Sequence, residues 1–207
     1  MNPLPRKARD RLLRRTDILN AATRVFAEKG YHKATVSDIA KQAEYAVGTI
    51  YLYFKDKQAL YLALTEEKIG ELIRRIKERI ENAHGSLEKI KALIEGEFAY
   101  FEENEDFFRI YFSEGGMDGW AIKDKPSLKT VEKIMKFLDY LSDIIKDAQA
   151  ENIIQKELDP KRTAHLLGSM IKSVIVPWLK DRPSKTESLK GLSGFILNAF
   201  LNGTAVK

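Results

Sequence analysis

The sequence predicts an all-α protein of about nine helices, with a three-helix helix-turn-helix domain at the N-terminus and a larger helical domain behind it. Three observations carry this reading. Apolar residues recur at the three- and four-residue spacing of a single helix face along almost all of the 207-residue chain. Between Thr35 and Phe54, two short helical segments joined by three residues follow a longer first helix. No segment alternates as a strand does: Val174-Ile175-Val176 looks extended alone, but the helical pattern runs through it. The domains are expected at residues 1–55 and 56–207.

The first helix is expected from about Arg9 to Lys29, with Ile18, Ala22, Val25 and Phe26 on one face and Gly30 at the C-cap. Thr35, with Asp38 at capping-box spacing, opens a second helix to about Ala43, which turns Val36, Ile39 and Ala40 inward. A third, about Val47 to Phe54, follows after only three residues. Asp56 caps a long fourth helix to about Ala83, whose stripe is Leu60, Leu64, Leu72, Ile76 and Ile80. After His84-Gly85, Ser86 is a cap for helix five, with Ile90, Leu93, Ile94, Phe98 and Phe101 inward. Helix six is the aromatic run Asp106 to Phe112, and residues 115–125 read as a loop. Helix seven, about Ser127 to Ala150, is expected to bury Val131, Ile134, Leu138, Leu141 and Ile145. Asp159-Pro160 starts helix eight, with Pro177 expected to kink its last turn. Ser184 and Glu187 form a capping box ahead of helix nine, which carries Leu189, Leu192, Ile196, Ala199 and Phe200.

Composition narrows the function. There is no cysteine, which excludes disulfides and thiolate chemistry, and the basic start has no apolar run behind it as a secretory signal would. No apolar stretch approaches membrane-spanning length, so a cytoplasmic protein without membrane contact is expected. His32, His84 and His165 have no metal-ligand spacing, and no nucleophile-elbow, phosphate-loop or dinucleotide motif is present. The acids Glu102, Glu103, Glu105 and Asp106 read as a solvated corner. Neither an enzyme nor a cofactor or metal is expected. The net charge of +5 is unevenly placed: residues 1–60 hold twelve Lys and Arg against six Asp and Glu, leaving 23 against 24 in the rest. Excess positive charge at one end points to a polyanion. Six of those basic residues lie in Arg6 to Arg15, ahead of the first packed turn, and read as a partly disordered arm for the DNA backbone or minor groove.

In a helix-turn-helix the second short helix enters the major groove. Ile50 and Phe54 can pack inward, leaving Thr49, Tyr51 and Tyr53 to face out, since both tyrosines cannot join the core alongside them. Gly48, lacking a Cβ, admits close backbone approach, and Val47 can meet a thymine methyl.

Phe26-Ala27-Glu28-Lys29-Gly30-Tyr31, Ala34-Thr35-Val36-Ser37-Asp38-Ile39-Ala40, Gly48-Thr49-Ile50-Tyr51-Leu52-Tyr53-Phe54, Lys57 and Leu60 together resemble the TetR family of one-component transcriptional regulators over residues 16–64. The resemblance implies that Thr35, Ser37, Tyr53 and Lys57 meet phosphate, with Gly48, Thr49 and Tyr51 in the groove. It departs at three places: Glu44 stands at the usual turn glycine, Ala46 at the usual serine N-cap, and Val47 at a commonly polar position.

The resemblance also implies a pocket within helices five to eight and a homodimer through helices eight and nine. Gly168, Gly191 and Gly194, beside Leu167, Ile171, Leu192, Ile196 and Phe200, would admit close helix approach in such a dimer; packing within one subunit is the other reading. The large apolar side chains Phe98, Phe101, Phe108, Tyr111, Phe112, Met117, Trp120, Met135, Leu138, Met170, Val174 and Trp178 are candidates to line a small-molecule site, with Arg109, Lys172 and the Trp N–H groups as polar handles. They could equally fill an ordinary core. The expected function is a duplex-DNA-binding repressor released by a small apolar effector such as a fatty acid or acyl thioester. The alternative is an effector-free, DNA-bound architectural or interaction protein of the same fold.

Overall fold

The computed structural model describes residues 5–113, 127–181 and 188–205. Among these the order is α1 Arg6–Lys33, α2 Val36–Gln42, α3 Val47–Tyr51, α4 Lys57–Glu81, α5 Ser86–Glu103, α6 Glu105–Ser113, α7 Leu128–Ala150, α8 Pro160–Asp181, a 3-10 turn Leu189–Leu192, and α9 Ser193–Thr204. No strand is found among the described residues, only an isolated bridge between Ile154 and Ala205. Two compact units emerge, their boundary between Glu67 and Lys68 within α4: one holds α1 to α3, the start of α4 and α6 from Asp106; the other holds the remainder.

In the first unit, α1 begins at Arg6 behind Pro5, so the stretch expected as a partly disordered arm is helical. Gly30 interrupts α1 with φ 73° and ψ 159°, a region that only glycine adopts without strain. The chain turns there and delivers Thr35, whose capping box with Asp38 is formed: Thr35 Oγ1 accepts from Asp38 N–H at 3.1 Å and Asp38 Oδ2 accepts from Thr35 N–H at 3.0 Å. Ile18, Leu19, Ala22, Val25, Phe26, Ile39, Ile50, Phe54 and Leu60 are buried. Asp56 caps α4 by accepting from Ala59 N–H at 2.7 Å.

In the second unit, Ile76 and Ile80 of α4 and Ile90, Ile94 and Phe98 of α5 are fully buried, and Gly96 admits a close approach: a Cβ there would meet Arg79 Cδ at 3.1 Å. Tyr100 reaches across from α5 and donates its hydroxyl to Lys68 O at 3.0 Å. Arg75 lies over its ring and pairs with Glu71 at 2.9 Å and Glu103 at 2.5 Å.

Four local expectations are corrected. Ser86 is the first residue of α5, not its cap; its hydroxyl and N–H donate to the Glu151 carboxylate at 2.8 and 3.1 Å, so an acid from the end of α7 meets the positive end of α5. The buried stripe of α7 is Thr130, Phe137, Leu141, Ile144, Ile145 and Ala148, which leaves Val131 exposed. Leu189 belongs to the 3-10 turn, and α9 starts only at Ser193. Finally, α3 ends at Tyr51.

Candidate nucleic-acid interface and small-molecule site

The α2–α3 turn is held from inside. Tyr45 N–H bonds to Ala40 O at 2.9 Å, and the Tyr45 hydroxyl donates to Asp17 Oδ2 of α1 at 3.0 Å. Burial and this bond raise the Tyr45 hydroxyl's pKa. Glu44 adopts φ 58°, the left-handed conformation that its place at the usual glycine requires. Ala46 stands at the N-cap of α3 with no side-chain acceptor, as its residue type dictates. Burial of Ile39, Ala40, Ile50 and Phe54 then leaves one face open.

The eight residues expected to meet DNA sort by what their groups already do. Ser37, Val47, Gly48 and Tyr51 are exposed, and Thr49 and Tyr53 half-buried. The hydroxyls of Ser37, Thr49, Tyr51 and Tyr53 make no hydrogen bond among the described residues, so four donors are available on this face. Thr35 is exposed, but its hydroxyl donates to Asp38 Oδ2 at 2.8 Å and its N–H is also taken. Lys57 is more fully engaged: Nζ donates to the carbonyls of Tyr31, Ala34 and His32 at 2.7, 2.9 and 3.2 Å, and lies 4.6 Å from the Tyr31 ring centroid. Its first role in the free chain is to tie the end of α1 to the start of α4. Arg15 is similarly occupied, pairing with Glu67 at 2.7 Å over the Phe54 ring.

Asp38 is held down to a pKa of about 2, first by the Lys29 ammonium at 2.5 Å and then by Thr35, so the cap keeps its charge throughout the physiological range. Sequence reasoning passed over Leu52, which follows Tyr51 and is 77% exposed, more than Tyr51 itself at 53%. Its signal was the four-residue spacing from Gly48, which places both on one face.

The twelve apolar candidates for a small-molecule site divide between the units. Phe107, Phe108, Tyr111 and Phe112 form a chain of ring contacts along α6 in the first, Tyr111 stacked on Phe107 and the others edge-on or tilted, with centroid separations of 4.9–6.3 Å; Arg109 beside them pairs with Asp106 at 2.5 Å. In the second, Phe98 and Phe101 are buried, Leu138, Met170, Val174 and Trp178 half-buried, and Met135 is 43% exposed, off the buried stripe of α7. Met117 and Trp120 lie outside the described residues, as do Ser184 and Glu187. A small, mostly apolar crevice among α5, α7 and α8 is lined by Ile90, Leu93, Leu141, Ile144, Ile145, Ala164 and Leu167 together with Lys89, none of them among the twelve.

On α8 and α9, Leu167, Ile171, Ile196 and Phe200 are buried within the chain, against the expectation that they flank a subunit contact. The same helices expose Leu166 and Phe195, and a Cβ added at Gly168, Gly191 or Gly194 would meet open space. No group of three or more His, Asp or Glu among the described residues could hold a metal ion, and no described helix is long and apolar enough to cross a membrane.

Residues 18–64 match the model of bacterial regulatory proteins of the tetR family, and residues 65–186 that of the YsiA-like protein C-terminal region. The chain is 29% identical over 187 residues to the fatty acid metabolism regulator protein of Bacillus subtilis, covering 90% of this chain and 93% of that one. With the HTH-type transcriptional regulator YvdT of the same organism it shares 32% identity over 75% of this chain and 77% of the relative. Among solved structures, a transcriptional regulator FadR of Bacillus subtilis in complex with stearoyl-CoA superposes with a TM-score of 0.78, at 29% identity, over 91% of this chain and 98% of that one.

Proposed function

The chain belongs to the TetR family of bacterial regulatory proteins, and from that premise we propose that it is a cytoplasmic, homodimeric repressor released from its operator by a long-chain acyl compound. That it is a DNA-binding transcriptional regulator follows from the family and from relatives that are themselves regulators. The observation that carries DNA recognition is the open α2–α3 face, with four hydroxyl donors that have no partner among the described residues. Thr49, Tyr51, Gly48 and Val47 are assigned to bases, and Ser37 and Tyr53 to phosphates. Thr35 and Lys57 reach phosphate only after giving up present bonds. Residues 1–55, with Lys57 just beyond them, carry these contacts, and 56–207 carry effector and dimer. The α8–α9 pair, with Leu166 and Phe195 bare, is the dimer surface.

The effector class rests on relatives. One is a fatty acid metabolism regulator, and a structural neighbour holds stearoyl-CoA. In this chain the acyl tail is assigned to the apolar side chains of α5, α7 and α8, where Phe98, Phe101, Leu138, Met170, Val174 and Trp178 lie. Because several are already packed, the ligand acts by favouring a more open packing, and it shifts the equilibrium only by its differential affinity for the two forms. A dimer must hold its recognition helices about 34–36 Å apart to enter successive major grooves. An effector that favours another spacing releases DNA, and α4, which begins at Lys57 and passes unbroken into the second unit, is the element to transmit the change.

The experiment is fluorescence anisotropy of a labelled operator duplex, selected on the full-length protein, titrated with stearoyl-CoA. Release is the expected result. DNA retained across acyl chain lengths, with Trp fluorescence unchanged, favours the effector-free architectural reading, which the buried packing of Phe98 and Phe101 would then explain.

A further inference from the structure

Glu97 occupies a place on α5 that its helical neighbours make apolar. Its neighbours one turn away on each side, Leu93, Ile94, Tyr100 and Phe101, are all buried, so residue 97 lies in the middle of the apolar face. A carboxyl group in such a position is ordinarily paired or hydrogen-bonded. Glu97 makes neither a hydrogen bond nor an ion pair among the described residues. Yet no sealed side-chain oxygen or nitrogen lacks a partner among them. The carboxyl therefore opens onto accessible space, consistent with the residue being half-buried rather than closed over. The apolar crevice of this unit reaches Leu93, one turn away on the same helix.

The charged group whose field reaches Glu97 among the described residues is Lys172 of α8, a helix packed on α5. It is half-buried and makes no hydrogen bond or ion pair among those residues either. Desolvation lifts the Glu97 carboxyl to about 7, against the opposing pull of Lys172. An acid and an ammonium, each without a direct partner, thus stand near one another amid apolar helices. The chemistry that satisfies both is a ligand with a carbonyl oxygen to accept from the neutral acid, an anionic group for the ammonium, and an apolar tail.

We propose that Glu97 and Lys172 hold the polar end of the effector, the Glu97 carboxyl meeting the carbonyl oxygen at the head of an acyl chain and Lys172 pairing with the effector's anionic group. The assignment rests on the acyl-effector reading above and adds the residues that recognise the head. A free fatty acid carries both features in one carboxylate, whereas an acyl thioester brings the carbonyl oxygen and holds its anionic groups far along its carrier.

The test uses the full-length dimer, titrated by Trp fluorescence with stearate, stearoyl-CoA and uncharged methyl stearate near pH 6 and near pH 8, with thermal unfolding as the check on folding. With a carboxyl midpoint of about 7, the wild type should bind acyl ligands about tenfold more tightly at the lower pH. Glu97→Gln, a permanently neutral donor, should bind tightly at both. Glu97→Leu, which fits its apolar neighbours, should bind weakly at both. Lys172→Met should weaken stearate but not methyl stearate if the free acid is the effector, and should leave stearoyl-CoA unchanged; unchanged stearate affinity overturns the role of Lys172. Wild-type affinities and pH dependence in both Glu97 variants overturn the proposal while leaving the acyl effector standing. A wild type that binds no acyl ligand removes the effector reading itself, and this proposal with it.

Discussion

Single side chains on the open α2–α3 face divide into those free to read DNA and those already bonded, and the free ones define the cleanest test. Tyr51→Phe and Thr49→Ala each remove one donor that has no partner among the described residues. Loss of a groove contact should cost specific binding about 1–3 kcal/mol at an unchanged unfolding midpoint. Unaltered operator affinity in both variants would move the recognition face elsewhere. Glu97 offers a second test, through pH. Its carboxyl is raised from 4.5 to about 7, first by desolvation, so the native state binds that proton more tightly than the unfolded chain does. Stability from this group is therefore complete below the unfolded value and lost as pH rises through about 7. Glu97→Gln should unfold later than the wild type near pH 8, by up to about 3 kcal/mol, and match it near pH 4; equal midpoints at both pH values would deny the effect. How far such details were legible depends on whether their cause is local. The left-handed Glu44, the bare cap at Ala46 and the Thr35–Asp38 box follow from residue types a few positions apart. The occupied state of Lys57 does not, because its acceptors lie 23 to 26 residues away. Glu97 escaped because an acid in a charged helix reads as solvated until the residues three and four positions away are all known to be buried.

Elements show the same divide. Helix existence and order could be read throughout, because apolar periodicity is local, and so could the Asp56 and Asp159 caps, which accept from Ala59 and Arg162 N–H. Which face of α7 is buried could not, since Val131 and Thr130 are adjacent and only the packed neighbours choose between them. The cap of α5 by Glu151 is equally non-local, arriving from 65 residues along the chain. The contact that matters most at this scale is Lys57, which joins the start of α4 to three carbonyls at the end of α1. Lys57→Met keeps much of the aliphatic stem but removes the ammonium. We expect about 1–3 kcal/mol less stability, from carbonyls left without their charged donor. DNA affinity should fall as well, and alike for all sequences, because a contact to phosphate carries no base information. A denaturation midpoint equal to that of the wild type would show that the tie between these helices holds nothing.

For the whole molecule, charge and symmetry set how the parts act together. The excess positive charge lies in residues 1–60, where Arg6 to Arg14 form the exposed first turns of α1. Two subunits presenting this face should neutralise roughly 6–8 phosphates, giving a slope of log K against log salt of about −5 to −7. An affinity indifferent to salt would remove the electrostatic part of the interface. Symmetry supplies the last prediction. Phe195 is 64% exposed on α9 and Leu166 50% exposed on α8, while Leu167, Ile171, Ile196 and Phe200 of the same helices are spent on the chain's own core. Gly191 and Gly194 precede Phe195 with open space where a Cβ would stand, so a second backbone can approach closely. A twofold axis through this face brings each Phe195 against the partner surface, and a charge placed there meets its own copy or loses its solvent. Phe195→Asp should therefore shift the protein to monomers in sedimentation equilibrium without lowering the helical content seen by circular dichroism. Because a monomer offers one recognition helix instead of two at a fixed spacing, specific operator affinity should collapse toward the weak, salt-sensitive binding of any duplex. A variant that stays dimeric and keeps its operator would place the subunit contact on another face, and the exposure of Phe195 and Leu166 would need a different partner.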